Sequence, residues 1–240
     1  MRKVDLTTPV AQCVIERPSR ARVFERLGID YCCGGKEPLA RACETKGLDP
    51  RMVLEAIERE DAKSPAAEER DWSRATLTEL ADHIENVHHS YLREELPRLA
   101  SLIEEVVRAH GERHAELLEC RDVFDSLRHE LEAHLFKEER ILFPMIRDLE
   151  ASATLPDFHC GTLRNPIRVM EHEHDGAALA LSRLRELTGD YAPPDDACNT
   201  YRAAFTGLAE LEADLHRHIH KENNILFPRA VAEESPKPQS

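Results

Sequence analysis

The chain has 240 residues, and its 46 acidic side chains outnumber 32 Lys and Arg side chains, which gives a formal net charge of −14. A protein this acidic is not attracted to nucleic acid or to an anionic membrane surface, so we expect neither as a partner. Its hydrophobic share of 41% is too high for a disordered polymer, and without a membrane span or a secretion signal the sequence predicts a soluble cytoplasmic protein.

Residues 1–60 are predicted to form a small helical domain. Prolines stand in the first turns of two of its predicted helices, at Pro9 and Pro50, and Gly28 ends another helix. Polar residues without an apolar stripe follow at 61–75, and they are interpreted as a linker.

From Leu77 onward the sequence is rich in Leu, Ala, Glu and Arg, the residue types that favour helices. Four long helices are predicted there, at residues 76–109, 114–148, 163–188 and 195–233. Short loops and apolar stripes indicate an antiparallel four-helix bundle over 76–233, and residues 234–240 are predicted to be a disordered tail. The predicted fold class is therefore all-α, with a small N-terminal helical domain before the bundle.

The bundle sequence contains an internal repeat. Residues 134–144, HLFKEERILFP, align without a gap with residues 218–228, HIHKENNILFP, at an offset of 84 residues. The other two helices carry His89 and His174, which are 85 residues apart. The bundle is therefore interpreted as two related helical hairpins, each with one His helix and one His-x-x-x-Glu helix.

The repeat predicts a metal site inside the bundle. Positions i and i+4 lie on one face of a helix, so each His-x-x-x-Glu pair can hold an ion, and a carboxylate from each pair can bridge two ions. Nitrogen and oxygen ligands without thiolate suit iron, with manganese or zinc as alternatives. A single pair of this kind would more readily be a solvated surface contact, but duplication argues against that reading. The predicted ligands are His89, His134, Glu138, His174, His218 and Glu222.

Three further carboxylates are candidates for a second layer around the metal. Glu130 and Asp214 each lie four residues before a ligand histidine, at matching positions of the repeat. They could orient the imidazoles or line an ion path, or they could be ordinary surface carboxylates. Glu173, beside a ligand histidine, is a candidate of the same kind. Histidines without a repeat partner are predicted to be solvated, namely His83, His110, His114, His129 and His159.

The seven cysteines are scattered and predict no disulfide framework. Cys32 and Cys33 stand together between Tyr31 and two glycines, and neighbouring cysteines rarely close a disulfide on each other. Backbone N–H groups of the glycine turn, a nearby helix N-terminus and Lys36 would favour thiolate. We therefore predict reactive thiols that accept iron or a nitrosyl or form mixed disulfides, and the alternative is two small buried apolar residues.

Five segments carry a resemblance to a known family: DYCCGGKEPLARAC at 30–43, HHSYLREELP at 88–97, HLFKEERILFPMI at 134–146, VMEHEHD at 169–175 and HIHKENNILFPRA at 218–230. Residues 77–233 resemble hemerythrin-like domains. The whole chain resembles the di-iron RIC family, which repairs iron–sulfur clusters and begins with a double-cysteine ScdA-type domain. The resemblance implies a hemerythrin-like bundle with two non-haem iron ions on the six ligands, bridged by Glu138 and Glu222. Oxygen-carrying hemerythrins generally use five histidines, so this set argues against reversible oxygen carriage and for a more open or labile metal pair.

The resemblance implies a stress-response factor that supplies iron to clusters damaged by nitrosative or oxidative stress. Its partners would be damaged iron–sulfur proteins, with nitric oxide or oxygen species as further reactants, and a homodimer is left open. Two alternatives remain, a nitric oxide or peroxide reductase at the di-iron centre and an oxygen or redox sensor. The appended cysteine domain favours repair, since an oxygen carrier needs no thiol arm.

Overall fold

The structure is a computed structural model that describes residues 4–63 and 70–235. Every regular element in these two ranges is helical, apart from one isolated β-bridge between Pro9 and Pro38. The predicted all-α fold is confirmed. No helix in the described ranges is long and apolar enough to cross a membrane.

The N-terminal unit is built from four short helices around one apolar core. They are α1 (Val10–Glu16), α2 (Ala21–Leu27), α3 (Leu39–Lys46) and α4 (Pro50–Lys63), with a 3-10 turn at Pro18–Arg20. The buried guanidinium of Arg20 forms a two-pronged ion pair with Asp61, at 2.9 and 2.7 Å, and also donates to the carbonyl oxygen of Cys13 at 3.1 Å. Because Asp61 is held in this way, α4 continues to Lys63, three residues past the predicted end of the domain.

The segment predicted as a linker is partly fixed on the bundle. Residues 64–69 lie outside the described residues. After them, Trp72 stacks on the imidazole of His83 at 4.0 Å between ring centres, and Arg229 donates to the carbonyl oxygens of Trp72 and Ala75. Thr76 then forms a reciprocal capping pair with Glu79 and begins the bundle.

Four antiparallel bundle helices follow, three of them in several segments. The first is α5 (Leu77–His83), a π segment (Ile84–His89) and α6 (Ser90–His110); the second is α7 (Glu116–Lys137), a π segment (Glu138–Leu142) and α8 (Phe143–Ala151); the third is α9 (Arg164–Leu187); the fourth is α10 (Asn199–Lys221), a π segment (Glu222–Leu226) and α11 (Phe227–Glu234). The predicted bounds differ from these by four residues or fewer at each end.

The π segments of the second and fourth helices begin at equivalent positions of the repeat, Glu138 and Glu222. Each leads into a proline, at Pro144 and Pro228, in the first turn of the next segment. A proline has no N–H group for the usual helical bond, and its ring collides with the carbonyl one turn earlier. The wider π turn accommodates both effects and presents the glutamate at the point where the helix changes its winding.

The C-terminal end of the bundle extends one residue past the predicted boundary. Glu234 is buried within α11, and its carboxylate accepts hydrogen bonds from the hydroxyl of Thr162 at 2.7 Å and the N–H of Leu163 at 2.8 Å. This residue therefore belongs to the fold rather than to the predicted tail. Of that tail, residues 236–240 lie outside the described residues.

Candidate metal centre

The six predicted ligands meet in the middle of the bundle, where each is at most 3% exposed. They form two groups of four, because both glutamates belong to each group. The first group contains His89 and His218, and the second contains His134 and His174. In each group the donor atoms all lie within 4.8 Å of one another.

The imidazoles are spaced as ligands of a common ion would be. The Nε2 atoms of His89 and His218 lie 3.2 Å apart, and those of His134 and His174 lie 3.1 Å apart. Two nitrogens that bind one ion at right angles, each about 2.1 Å from it, are about 3.0 Å apart. Each pair is therefore placed to bind one cation between its two nitrogens.

The two glutamates connect the groups. The carboxylate of Glu138 lies 3.4 Å from Nε2 of His89 and 3.3 Å from Nε2 of His134, which belong to different groups. The oxygens of Glu222 lie 3.0 and 3.2 Å from Nε2 of the other two histidines, again one from each group. This is the arrangement that a carboxylate bridge between two ions requires.

The buried glutamates fit a cation site. Both oxygens of Glu138 and Oε2 of Glu222 are buried without a hydrogen bond to any described residue. Burial by itself would raise the pKa of Glu138, but the facing imidazoles hold it below its usual value, and the pKa of Glu222 lies well below its own. Two buried, ionised carboxylates with three of their four oxygens lacking a hydrogen bond are what a pair of cations would neutralise.

Aromatic rings from the repeat close the centre on one side. Phe143 stacks on the imidazole of His89 at 5.6 Å, and Phe227, its repeat equivalent, lies parallel to that of His174 at 6.1 Å. The repeated Ile-Leu-Phe-Pro sequence thus supplies the apolar wall on which two ligand imidazoles rest. Apolar clusters lie on both sides of the ligand layer, and they exclude solvent from it.

Three of the four ligand imidazoles are oriented by hydrogen bonds from Nδ1. The pairs are His89 with Glu139 at 2.7 Å, His134 with Glu173 at 2.8 Å, and His174 with the Asn223 side-chain oxygen at 2.8 Å. Carboxylate and amide oxygens accept, so Nδ1 carries a hydrogen, and Nε2 is the nitrogen that faces the centre. Lys137 pairs with Glu173, and Arg93 pairs with Glu139.

The three predicted second-layer carboxylates lie in different surroundings. Glu173 contacts a ligand, but its partner is His134 of another helix rather than its sequence neighbour. Glu130 is exposed, accepts a hydrogen bond from Ser126 at 3.2 Å, and lines a cleft of about 370 Å³ beside the second group. Asp214 accepts from Nδ1 of His88 at 3.0 Å, so the expectation that it orients a ligand imidazole is wrong.

His88 lies between the carboxylate of Asp214 and the half-buried ammonium group of Lys221. Burial lowers the pKa of His88 to about 4, so the ring is neutral. Its Nδ1–H donates to Asp214, and its Nε2 accepts from Nζ of Lys221 at 3.0 Å. The ring also lies parallel to that of His218, at 5.4 Å, and so forms a wall beside the first group.

Sequence reasoning missed Glu139 and Asn223. The repeat contains the signal that could have found them, because both directly follow a shared glutamate and lie 84 residues apart. Their side chains point about 100° away from that glutamate and therefore reach the neighbouring helix. His110 was also expected to be solvated, but it is buried, with Nε2 3.3 Å from Sγ of Cys198 and Nδ1 accepting from Arg113.

The thiol loop, residues 30–35, is organised by Asp30. One oxygen of its carboxylate accepts from the N–H groups of Cys32 and Cys33 at 2.9 and 3.0 Å, and the other accepts from Gly34 at 2.8 Å. A side chain on Gly35 would collide with the carbonyl oxygen of Tyr31, since its Cβ would lie 2.5 Å away. The loop is thus closed tightly around a carboxylate.

Asp30 changes the expected chemistry of the first thiol. The N–H groups that were expected to stabilise thiolate are bound to its carboxylate, and Lys36 is exposed and forms no ion pair with any described residue. The hydrogen bond with Cys33, burial and the charge of Asp30 hold the pKa of Cys32 well above its usual value. The N–H groups of the turn are therefore not available to stabilise a thiolate at Cys32.

The thiol loop reaches the bundle next to the metal centre. Sγ of Cys33 is half-buried and lies 4.0 Å from the carbonyl oxygen of His174. The donor atoms of Asp30, Cys32 and Cys33 lie within 4.8 Å of one another, which makes them a third group able to hold a cation.

Two family models match the chain. Residues 83–230 match the hemerythrin HHE cation binding domain, and residues 6–61 match a domain of unknown function, DUF542. The iron-sulfur cluster repair protein YtfE of Dickeya chrysanthemi (strain Ech1591) is 39% identical over 223 residues, which are 92% of this chain and 96% of the relative. YtfE of Escherichia coli O17:K52:H18 is 39% identical over 227 residues, 94% of this chain and 97% of the relative.

This chain belongs to the YtfE family. The predicted resemblance to hemerythrin-like cluster repair proteins is therefore confirmed, and it extends over both units. The family model that matches the bundle describes a cation-binding domain, and the six buried residues predicted as ligands lie within residues 83–230. Buried His and Glu groups able to hold a metal are thus present in the cation-binding domain of this chain.

Proposed function

We propose that this chain repairs iron–sulfur clusters in other proteins by supplying iron from a di-iron centre. The observation that carries the proposal is the position of Glu138 and Glu222, each of which faces one imidazole of both groups. Shared carboxylates of this kind hold two cations side by side. The names of the relatives support the repair activity, and the two groups of His and Glu side chains support a site that can hold the metal.

The donor set suits iron, with manganese or zinc as alternatives. Each group offers two imidazole nitrogens and two carboxylates and no thiolate. Structural zinc sites, by contrast, are usually rich in thiolate. Four protein ligands leave positions open on a six-coordinate ion. Bound iron would supply redox chemistry and exchangeable coordination positions there.

Side chains beside the second group position a predicted ligand and line the cleft that leads to it. Glu173 orients His134 and pairs with Lys137, and this pair lies at the cleft beside the second group. Glu130 and Asp175 also line the cleft, so its acidic walls attract cations. We assign the cleft to the entry and exit of iron, with Glu130 as a residue of the ion path rather than an orienting partner.

Cys32 and Cys33 are assigned as the reactive thiols that take part in the transfer. Cys33 lies next to the helix that carries His174, and with Asp30 the two thiols provide three donor atoms for an outgoing iron ion. All seven cysteines are free thiols, which suits a reducing compartment, and we therefore assign the activity to the cytoplasm.

The second candidate function is reduction of nitric oxide or peroxide at the same centre. The observation that favours it is the cleft of about 370 Å³, whose lining includes His134 and His174 and which is large enough for a small reactant. In that case the thiols would not be needed for turnover.

The experiment that separates the candidates uses an iron–sulfur enzyme that has been inactivated by nitric oxide. The iron-loaded chain is incubated anaerobically with this enzyme, and the regained activity is measured. We expect reactivation by the wild-type chain. A Cys32→Ser, Cys33→Ser double variant should keep its iron, because no bundle ligand changes, but should reactivate poorly. Rapid turnover of nitric oxide by the double variant would favour the reductase instead.

A further inference from the structure

Two side chains of the fourth bundle helix hold the thiol loop. Nδ1 of His220 donates to the carbonyl oxygen of Tyr31 at 3.1 Å, and Nδ2 of Asn224 donates to the carbonyl oxygen of Cys32 at 2.8 Å. Carbonyl oxygens only accept, so the hydrogen of His220 is on Nδ1. The two carbonyls directly before Cys33 are therefore both bound by one helix.

The side chain of Tyr31 completes this contact. It is buried, and its ring meets the imidazoles of His220 and His216 edge-on at 5.4 and 6.1 Å. Its hydroxyl donates to Glu25 at 2.8 Å, and Glu25 in turn pairs with Arg217 of the same helix at 3.6 Å. The loop is thus fixed on the bundle by its backbone and by its largest side chain.

The same helix carries metal ligands on its other face. His220 and Asn224 alternate along the sequence with His218 and Glu222, and residues two apart on a helix point about 200° apart. One face of the fourth helix is therefore directed at the metal centre, and the opposite face holds the thiol loop.

The repeat shows that the metal centre does not need these two residues. The equivalent positions of the second helix, 84 residues earlier, are Phe136 and Arg140. Phe136 is 62% exposed, and Arg140 is exposed as well. That helix places its own His and Glu ligands without any such contact, so His220 and Asn224 have a separate role.

We propose that His220 and Asn224 are positioning residues that hold the Cys33 thiol beside the metal-bearing helices. The inference deepens the proposed function and rests on it, because positioning matters only if the thiols take part in iron transfer. When Asn224 is replaced, the carbonyl of Cys32 loses its donor. When His220 is replaced, the carbonyl of Tyr31 keeps only the longer contact from Nδ2 of Asn224, at 3.4 Å. In both cases the loop is held less firmly, and Cys33 moves away from its place 4.0 Å from the carbonyl oxygen of His174. The thiol then becomes more accessible to solvent and less effective in transfer.

The experiment uses the full-length, iron-loaded chain. Asn224→Ala and His220→Leu remove the donors, while His220→Asn keeps an N–H group near the position of Nδ1. Arg140→Ala and Phe136→Leu are matched controls at the equivalent positions of the repeat. For every variant we measure the iron content, the rate at which iodoacetamide alkylates Cys33, and the reactivation of a damaged cluster enzyme.

We expect Cys33 to be alkylated about fivefold faster or more in Asn224→Ala and His220→Leu, since loss of the anchor allows local opening. In these two variants the iron content should stay at the wild-type level and reactivation should fall. His220→Asn should restore most of the wild-type alkylation rate and reactivation. The controls should behave as wild type. An unchanged alkylation rate in both Asn224→Ala and His220→Leu would overturn the inference. So would wild-type reactivation by a variant whose Cys33 is alkylated faster. A loss of iron that accompanies the fall in reactivation would overturn it as well. If the wild-type chain itself fails to reactivate the enzyme, the proposed function fails, while alkylation still reports on the anchor.

Discussion

The shared glutamates make a prediction that distinguishes a bridged metal pair from two independent sites. Glu222→Gln keeps the size of the side chain but removes the charge that faces both groups. His134→Ala removes a ligand from the second group alone. We therefore expect the glutamine variant to affect both ions and the alanine variant to affect one.

The magnitude follows from the number of ligands. Each group has four, so Glu222→Gln weakens one of four contacts to each ion. Loss of an outer partner alone costs roughly 10- to 100-fold in metal affinity, so loss of a direct charged ligand should cost about 100-fold or more. That corresponds to about 2.7 kcal/mol for each ion.

The assay is metal analysis of each variant after anaerobic reconstitution and desalting. Wild type should retain about two ions per chain, His134→Ala about one, and Glu222→Gln well under one. His172→Ala is the control, because this exposed histidine lies on the same helix as His174 but outside both groups. Equal loss in Glu222→Gln and His172→Ala, or loss of a single ion in Glu222→Gln, would refute the bridged arrangement.

Four further outcomes are expected. Glu173→Gln should lower the affinity for one of the two ions roughly 10- to 100-fold in a chelator competition, because His134 loses a charged hydrogen-bond partner. In the metal-free chain burial opposes the imidazolium, but the facing carboxylates outweigh it and raise the pKa of His134 to about 9. At pH 7 the metal must therefore displace a proton from His134, so the metal affinity should rise with pH up to about pH 9. Calorimetry in buffers of different ionisation enthalpy should detect the release of roughly one proton or more on binding. Gly35→Ala should lower the free energy of unfolding by about 1–3 kcal/mol in urea melts, since its Cβ would meet the Tyr31 carbonyl at 2.5 Å. A chain that begins at Asp71 should fold and bind metal by circular dichroism and metal analysis, because all six ligands follow that point.

The ligand helices could be predicted from the sequence because the information is local. His134 with Glu138 and His218 with Glu222 share a helix face by spacing alone, and the repeat marks both pairs as functional. The ends of the four long helices followed from their glycine, proline and polar loops in the same way. These features depend on residues a few positions apart, and no tertiary packing is needed to recognise them.

The orienting partners could not be predicted because they lie between helices. Asp214 has the right spacing to His218 along the helix, yet it accepts from His88 of another helix. Glu173 lies beside His174, yet it binds His134 across the bundle. Which acceptor an imidazole finds depends on how neighbouring helices are rotated and packed, and one helix's sequence does not contain that information.

The thiol loop was misread for a different reason. The sequence of the turn suggested free N–H groups around Cys32, but Asp30, two residues before it, accepts them. Short polar side chains commonly bind the backbone two residues on, so this interaction was open to local reasoning. The contact of the loop with His220 and Asn224 was not, because it joins two separate units.

The central claim is that iron passes from this chain into a damaged cluster, and isotope transfer tests it most directly. The chain is loaded with iron-57 and incubated anaerobically with a damaged cluster enzyme that contains natural iron, and the two proteins are then separated. The account predicts that iron-57 appears in the repaired cluster in proportion to the activity regained and to the iron lost from the chain. Recovery of activity without iron-57 in the cluster would contradict it.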